Sequence, residues 1–303
     1  MNDLADLNNR FAIPGHVEFE AGPSGLILAR IDNHHASAAI ALQGCHLISW
    51  TPINSEPVIW LSHAASLAPG KSIRGGIPIC WPWFGAHPDD DGFPAHGFAR
   101  TALWQVQETY AMDDGATRIS MILPQQQMPA HMWPNATNLE CLITVGETLE
   151  LELNTVNRSE ENITLSEALH TYFAVSDVRN ISIDGLDGGR YLDKVDNFKP
   201  KQQQGPATFS SEVDRIYLDS RDDCLIRDPG LGRRIRISKQ GSDSTVVWNP
   251  WADKAARMGD LGKDGYLRMV CVESANAADN VVSLTPGAQH RLWVRYSVEA
   301  LGV

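Results

Sequence analysis

Apolar and polar residues alternate at a period of two along much of this 303-residue chain. The segment 149–154 reads LELELN, and the segment 292–298 reads LWVRYSV. Because successive side chains of a strand point to opposite faces, this alternation is typical of strands with one buried face. Helical periodicity is confined to one short segment, residues 252–258, and strands do not alternate with helices. The pattern predicts an all-β fold, a large antiparallel β-sandwich with few short helices.

Turn sequences separate the predicted strands at short intervals. Asp-Asp-Gly at 113–115, Gly-Glu at 146–147 and Asp-Pro-Gly at 228–230 each lie between two apolar runs, as in β-hairpins. Together the alternation and the turns predict strands over residues 25–31, 38–42, 46–51, 58–61, 104–110, 118–123, 139–145, 149–156, 163–175, 224–226, 234–237, 245–248, 266–273 and 292–298.

Two long segments, 68–100 and 185–205, lack the strand pattern. Long structured loops in a compact domain are usually functional. The first segment mixes tryptophan and phenylalanine with many glycines and prolines, a composition too aromatic for a disordered linker. It predicts an ordered loop that lines a pocket. No repeat, low-complexity tract or linker divides the chain, so we expect a single domain over residues 1–303.

The charge balance and the hydropathy exclude two classes of protein. With 25 basic and 37 acidic side chains the formal net charge is −12, which argues against a nucleic-acid binder. No stretch approaches the roughly 18 consecutive apolar residues of a membrane-spanning helix, so no membrane association is expected. The first ten residues lack the basic and apolar regions of a secretory signal, and the expected location is cytoplasmic.

The cysteines and histidines lack the spacing of a metal site. Five cysteines are scattered without any C-x-x-C pair, and four of them lie in apolar runs, so we expect reduced, buried side chains. The histidines His34, His35, His46 and His63 have no partner pair at ligand spacing. We therefore expect no metal and no cofactor.

Six segments combine polar chemistry with glycine, proline and aromatic residues. They are IRGGIPICWPWFG at 73–85, HGFAR at 96–100, SEALHTYF at 166–173, EVDRIY at 212–217, VWNPW at 247–251 and CVESA at 271–275. In this order they resemble the aldose 1-epimerase (mutarotase) family, most closely its glucose-6-phosphate 1-epimerase branch. The resemblance implies a β-sandwich of the galactose mutarotase type. It also implies cofactor-free interconversion of the α and β anomers of a hexose 6-phosphate.

The resemblance assigns the catalytic roles to His170 and Glu273. Opening a pyranose ring requires a base for the C1 hydroxyl and an acid for the ring oxygen. A glutamate with a pKa of roughly 4.3 is ionised at neutral pH and can serve as the base, and a histidine near roughly 6.5 needs only a small upward shift to serve as the acid. We expect neighbouring negative charge to supply that upward shift in the pKa. Glu167, a rival carboxylate, lies three positions from His170 and so on the opposite strand face, where we expect a structural role.

The resemblance also implies substrate-binding residues. Arg74 and Arg100 match positions that bind substrate in the phosphorylated-sugar branch, Asp214 matches a sugar-contacting aspartate, and His96 matches a second active-site histidine. Ala95 departs from the family pattern, because some relatives carry there a glutamine that touches the ligand.

Phosphate binding has a physical basis in these arginines. A planar guanidinium binds phosphate oxygens through two parallel hydrogen bonds, and an acidic chain needs a local cationic cluster to hold a dianion. We expect Arg74 and Arg100 to form that cluster, with Lys71 as a further candidate. Glycines 75 and 76 lack side chains and would permit close approach to a ligand. The expected partner is a small sugar phosphate; the sequence does not predict an oligomeric state.

Two other functions fit the same residues. A non-catalytic carbohydrate-binding or sugar-sensing sandwich would keep the pocket without turnover. A glycoside hydrolase would need a second carboxylic acid at about 5–10 Å from Glu273. For each of these functions, Trp83, Trp248 and Trp251 are candidates either for apolar walls against a sugar ring or for the core.

Overall fold

In the computed structural model, which describes residues 3–301, strands make up most of the regular structure. There are two α-helices in this range, Leu4–Phe11 (α1) and Trp251–Met258 (α2). The strands are Val17–Ala21 (β1), Ile27–Asp32 (β2), Ala36–Ala41 (β3), His46–Pro52 (β4), Ile79–Cys80 (β5), Gln105–Ala111 (β6), Thr117–Leu123 (β7), Thr137–Val145 (β8), Leu149–Asn157 (β9), Ile163–Leu165 (β10), Glu167–Leu169 (β11), Tyr172–Ala174 (β12), Ser182–Asp184 (β13), Arg190–Asp193 (β14), Lys199–Gln202 (β15), Val213–Leu218 (β16), Cys224–Asp228 (β17), Arg233–Gln240 (β18), Ser244–Asn249 (β19), Met269–Asn276 (β20), Val282–Leu284 (β21) and Gln289–Ala300 (β22). The ends of the expected domain, residues 1, 2, 302 and 303, lie outside the described residues.

Two eight-stranded sheets form the sandwich. The site sheet has the order β15-β14-β16-β19-β20-β11-β5, with β12 also paired to β20. The back sheet has the order β13-β17-β18-β22-β9-β8-β7-β6. A four-stranded sheet, β1 to β4, and a two-stranded sheet, β10 with β21, complete the structure. All of these strand pairs are antiparallel, so the predicted all-β fold class is confirmed.

The core lies between the two large sheets. Strand β20 sends Val270 and Val272 into the main hydrophobic cluster, which also contains residues of the back sheet such as Leu292. The hydroxyls of Thr171 and Tyr296 meet across this layer at 2.6 Å. Because side chains alternate along a strand, the neighbours of the two valines point away from the core. The opposite face of the site sheet is therefore available for polar residues.

The predicted alternation is confirmed in the long strands and fails in short ones. Strand β9 alternates buried and half-buried residues over its whole length. The strand predicted at 163–175 is instead divided into three: β10 pairs with β21, while β11 and β12 pair with separate parts of β20. Residues 58–61 contribute only isolated bridges, and residues 265–268 form a 3₁₀ turn ahead of β20. The apolar run at 58–61 belongs to a largely buried loop, which periodicity alone does not separate from a strand.

The prediction that residues 68–100 lack strands holds except for the two-residue strand β5. The same prediction for residues 185–205 is wrong. This segment contains β14 and β15, joined through a 3₁₀ turn at Lys194–Asp196. Strand β15 reads Lys-Pro-Lys-Gln and lies at the edge of the site sheet. Proline and lysine are suited to edge strands, where one side of the backbone needs no partner, and they hide the strand pattern.

The five cysteines are buried and form no disulfide, as expected. Neither α1 nor α2 is long or apolar enough to cross a membrane, and the same holds for every helical turn described.

Glycines make room for neighbouring backbone. A Cβ on Gly75 would lie 2.6 Å from the carbonyl oxygen of Trp60, and one on Gly76 would lie 2.5 Å from Nε2 of His46. Their missing side chains therefore admit parts of the protein itself, where the sequence suggested a ligand. Among the glycines of residues 68–100, Gly97 leaves the least room for a side chain. Its φ is +70°, and a Cβ there would lie 2.0 Å from the carbonyl oxygen of Trp81.

Substitution of Gly97 tests this packing. We expect Gly97→Ala to lower the free energy of unfolding by about 2–5 kcal/mol, because left-handed backbone strain adds to a backbone clash. Gly188→Ala is the matched control, since Gly188 also has a positive φ (+74°) but open space around it. The control substitution should lower the free energy of unfolding, measured in urea, by only about 1–2 kcal/mol. Equal losses in the two variants would contradict the packing argument.

Candidate active site

A cavity of about 270 Å³ opens on the outer face of the site sheet. All six site residues expected from the sequence line it, and it is the place where they come together. The complete lining is Arg74, Phe84, His96, Arg100, His170, Tyr172, Lys194, Asp214, Val246, Trp248, Lys254, Met258 and Glu273. Four of these residues come from the loop 68–100, which confirms that this loop lines a pocket.

Strand register brings His170 and Glu273 together although 103 positions separate them. Glu273 lies in the middle of β20, opposite Val246 of β19. His170 follows β11, whose last residue, Leu169, pairs with Ser274 of β20. Both side chains point to the outer face of the sheet, and Nε2 of His170 lies 3.3 Å from Oε1 of Glu273. The side chains are 12% and 1% exposed, so the pair forms the buried floor of the cavity.

Burial decides the protonation of this pair. It lowers the pKa of His170 well below its ordinary value, and the nearby His96, Arg100 and Arg74 lower this pKa further. Burial also raises the pKa of Glu273 well above its ordinary value, although the positive charge of Lys194 opposes this effect. The upward shift expected for the histidine from neighbouring negative charge is therefore wrong. Burial therefore favours a neutral imidazole beside a protonated carboxyl, and the carboxyl proton lies where the two groups can share it.

One polar atom of each partner is left without a hydrogen bond. Nδ1 of His170 and Oε2 of Glu273 are buried and have no partner among residues 3–301. Buried polar atoms without partners are rare and need an explanation. In a cavity of this kind, a bound ligand could supply the missing partner for the carboxylate.

His96 presents a fixed tautomer to the cavity. Its backbone has a φ of +67°, and its Nδ1 accepts a hydrogen bond of 3.3 Å from the backbone N–H of Gly85. Burial and the positive charges of Arg100 and Lys194 lower the pKa of His96 to about 3. The neutral ring therefore carries its proton on Nε2. This nitrogen can donate a hydrogen bond to a ligand.

Asp214 is held between two lysines that the sequence did not reveal. Its carboxylate lies 3.1 Å from Nζ of Lys194 and 3.8 Å from Nζ of Lys254, which also contacts Glu212 at 2.7 Å. Lys194 comes from the turn between β14 and β15, and Lys254 from helix α2. Only the sheet order brings these two elements together, so no sequence spacing could have marked the lysines as site residues.

The two expected phosphate-binding arginines differ in their partners. Arg74 donates from Nε to Asp260 at 3.0 Å and from Nη1 to the hydroxyl of Tyr172 at 2.9 Å. Arg100 donates to the backbone carbonyl of Ala95 at 2.6 Å, and no carboxylate of residues 3–301 lies within 4.0 Å of it. Arg100 is therefore the cavity cation whose charge is least neutralised. Lys71 is exposed and does not line the cavity.

Aromatic and apolar side chains form the walls. Trp248 lines the cavity as expected, together with Phe84, Tyr172 and Met258. Trp83 and Trp251 do not. Trp83 packs in the main core, and Trp251 packs against Tyr266.

Glu167 has the structural role expected of it. This side chain is fully buried, contacts His290 at 3.0 Å and accepts a hydrogen bond from Asn276. It does not line the cavity.

One group of side chains has the composition of a metal site. The donor atoms of His170, Cys271 and Glu273 lie within 4.8 Å of one another. However, burial raises the pKa of the Cys271 thiol and of the Glu273 carboxyl well above their ordinary values. A metal needs the deprotonated ligands, so binding here would require the loss of two disfavoured protons. The donor chemistry suits proton transfer better than metal ligation.

Comparison with known proteins agrees with this geometry. The family model for aldose 1-epimerase matches residues 28–297 of the chain. The chain belongs to the aldose 1-epimerase family. An Escherichia coli K12 relative named "Putative glucose-6-phosphate 1-epimerase" is 39% identical over 255 residues, which cover 84% of each chain. A Salmonella typhimurium relative of the same name is 37% identical and covers 83% of this chain and 84% of its own.

Solved structures extend the comparison to the fold of this aldose 1-epimerase family member. A crystal structure titled "putative mutarotase" from Salmonella typhimurium has a TM-score of 0.88, with 33% identity and 96% coverage of both chains. A galactose mutarotase related enzyme from Lactobacillus acidophilus has a TM-score of 0.69 at 14% identity, covering 90% of this chain and 98% of its own. The second likeness concerns the fold alone, and it confirms the galactose mutarotase type of sandwich.

A buried histidine beneath the cavity loop gives a pH prediction for this epimerase-family protein. His46 donates from Nε2 to the oxygen of Gly75 at 2.8 Å, and burial lowers its pKa to about 4. The unfolded chain takes up this proton near pH 6.5, before the folded protein does. The free energy of unfolding should therefore fall as the pH drops from about 6.5 to about 4.

The variant His46→Gln keeps an N–H donor but does not titrate. In urea unfolding at several pH values, its free energy of unfolding should depend less steeply on pH over this range than that of the wild type. The difference in slope should reach at most about 1.4 kcal/mol per pH unit, the value for one proton. Parallel curves for the two proteins would contradict a neutral His46.

Proposed function

We propose that this protein interconverts the α and β anomers of hexose 6-phosphates without a cofactor, with glucose 6-phosphate as the preferred substrate. The observation that carries the proposal is the His170–Glu273 pair, 3.3 Å apart on the floor of a cavity that cations surround. Membership of the aldose 1-epimerase family and the printed names of the relatives support it. We also propose a cytoplasmic location. We further propose a single domain, because the main hydrophobic cluster includes residues from Leu7 to Tyr296.

The proposed reaction needs one base and one acid. Glu273 removes the proton of the C1 hydroxyl while His170 delivers a proton to the ring oxygen. The bond between C1 and the ring oxygen then breaks, and C1 becomes an aldehyde carbon. Rotation about C1–C2 and attack of the C5 hydroxyl on the other face of the aldehyde give the opposite anomer. Ring closure returns both protons, so no net proton, electron or atom is consumed.

The carboxyl proton that Glu273 can share with His170 accounts for both the base and the acid. Burial favours a neutral imidazole and a protonated carboxyl. Transfer of this proton across the 3.3 Å contact gives a carboxylate and an imidazolium, which are the base and the acid that the reaction needs. A bound phosphate dianion favours the imidazolium electrostatically. Substrate binding would thus prepare the pair for catalysis.

Local positive charge would hold the phosphate. The whole chain has a net charge of −12, so it does not attract a dianion at long range. Inside the cavity, Lys194 and Lys254 are partly neutralised by Asp214, and Arg74 by Asp260. Arg100 would therefore bind the phosphate, and Arg74, which lines the same cavity, would contribute a second positive charge. Asp214 and His96 would orient the sugar hydroxyls, as an acceptor and a donor.

Removal of either catalytic group should abolish most of the acceleration. We expect Glu273→Gln and His170→Asn each to lower the rate of anomer exchange in glucose 6-phosphate by about 10²–10⁴-fold, because each removes one positioned proton transfer. Exchange is measured by NMR of the two anomeric signals. Glu167→Gln makes the same isosteric change at a buried carboxyl outside the cavity and should retain the activity of the wild type.

The same assays separate the alternatives. Unchanged exchange in both variants would contradict the proposal. Sugar phosphate binding with no acceleration by the wild type would instead favour the carbohydrate-binding function. Release of reducing sugar from an aryl glycoside would favour glycoside hydrolysis.

Arg100 tests the choice of a phosphorylated sugar. The variant Arg100→Gln should raise KM for glucose 6-phosphate by about 10–100-fold, the effect of losing a hydrogen bond between charged groups. Because free glucose has no phosphate, its KM should change far less. Equal effects on the two sugars in steady-state kinetics would contradict phosphate binding at Arg100.

A further inference from the structure

Tyr172 occupies a central position in the cavity wall. It is the first residue of β12, and its side chain is 2% exposed. The backbone N–H of Tyr172 donates to the carbonyl of Gly76 at 3.0 Å, and its own carbonyl accepts from the N–H of Trp60 at 2.9 Å. These bonds fix the residue against the loop that carries Arg74. Neither the family resemblance nor the alternation pattern assigned it a role.

The ring of Tyr172 lies against the catalytic imidazole. It stacks on His170 with a centroid distance of 5.0 Å and an interplanar angle of 14°. Trp60 stacks against Tyr172 at 6.0 Å and 20°, while Trp248 meets His170 edge-on at 5.9 Å. The imidazole is thus held by aromatic rings, and Nδ1 of His170 has no hydrogen-bond partner among residues 3–301 to fix the ring plane. The stack supplies the orientation that a hydrogen bond at Nδ1 often gives a catalytic histidine.

The hydroxyl of Tyr172 contacts Arg74 rather than His170. It accepts a hydrogen bond of 2.9 Å from Nη1 of Arg74, whose Nε donates to Asp260 at 3.0 Å. Tyr172 and Asp260 together fix the guanidinium at two of its nitrogens. The remaining N–H groups of Arg74 are left for a ligand. Burial raises the pKa of Tyr172, so the hydroxyl stays protonated and keeps a hydrogen of its own to donate.

We propose that Tyr172 is a positioning residue with two separable functions: its ring orients His170 for proton transfer, and its hydroxyl orients Arg74 toward the phosphate of the substrate. The inference rests on the proposed function for the role of the ring. For the role of the hydroxyl it rests only on anion binding in the cavity. Two substitutions divide the side chain accordingly. Tyr172→Phe removes the hydroxyl and keeps the ring, and Tyr172→Leu removes both.

The kinetic experiment compares kcat and KM in these two variants. Tyr172→Phe should raise KM for glucose 6-phosphate about tenfold, the effect of one lost hydrogen bond to a charged group, with a much smaller change in kcat. Tyr172→Leu should raise KM similarly and in addition lower kcat by about 10–100-fold, because the imidazole loses its orientation. The loss of kcat should appear with free glucose as well. A decrease in kcat of the same size in both variants would overturn the role of the ring.

A matched control removes a buried hydroxyl elsewhere. Tyr217 is fully buried, and its hydroxyl donates to Gln203 at 2.7 Å outside the cavity. Tyr217→Phe should leave kcat and KM at wild-type values. If it raised KM as much as Tyr172→Phe does, the effect would be a general consequence of loosened packing, and the inference would be wrong.

A binding experiment judges the hydroxyl without reference to turnover. Calorimetric titration with inorganic phosphate should give a Kd about tenfold higher for Tyr172→Phe than for the wild type and for Tyr217→Phe. Equal affinities, or no phosphate binding by the wild type, would overturn the role of the hydroxyl. A wild type that binds phosphate but does not accelerate anomer exchange would contradict the proposed function. It would also overturn the role of the ring, while the phosphate titration would still decide that of the hydroxyl.

Discussion

The contact between His170 and Glu273 is the interaction on which the rest of the site depends. Two ionisable groups at 3.3 Å, both nearly inaccessible to solvent, are stable together only when burial is offset by a shared proton or by nearby charge. The positive charge of Lys194 favours the ionised carboxyl. The ring of Tyr172, stacked on His170, holds the imidazole in place. The other cavity residues either tune this pair or hold a ligand against it.

The sandwich fold explains how the buried pair of His170 and Glu273 is held in place. The valines of β20 anchor the strand in the core, and the register with β19 and β11 then fixes Glu273 opposite the end of β11. Burying polar atoms that lack hydrogen-bond partners costs free energy, so the arrangement needs a rigid frame to persist. Large antiparallel sheets with dense hydrogen bonding provide that frame. The loops provide the cations, and a dianion can therefore bind inside a strongly acidic chain.

Sequence alone predicted the parts of this account that depend on local pattern or on a shared motif. The alternation at 149–154 and 292–298 predicted the sandwich, and the quoted segments identified the six residues that prove to line one cavity. It missed Lys194 and Lys254, because their proximity to Asp214 depends on the sheet order. It also assigned the wrong direction to the pKa of His170, since burial is a property of the folded environment and the nearby His96, Arg100 and Arg74 lower this pKa further. Glycines 75 and 76 show the same limit, because their neighbours Trp60 and His46 are distant in the chain.

The most direct test is a crystal structure of the protein with glucose 6-phosphate bound. The account predicts the C1 hydroxyl within about 3.2 Å of the Glu273 carboxyl and the ring oxygen within the same reach of Nε2 of His170. It also predicts phosphate oxygens on the guanidinium of Arg100. A sugar bound in the reverse direction, with its phosphate beside His170 and its C1 beyond hydrogen-bonding reach of Glu273, would contradict it.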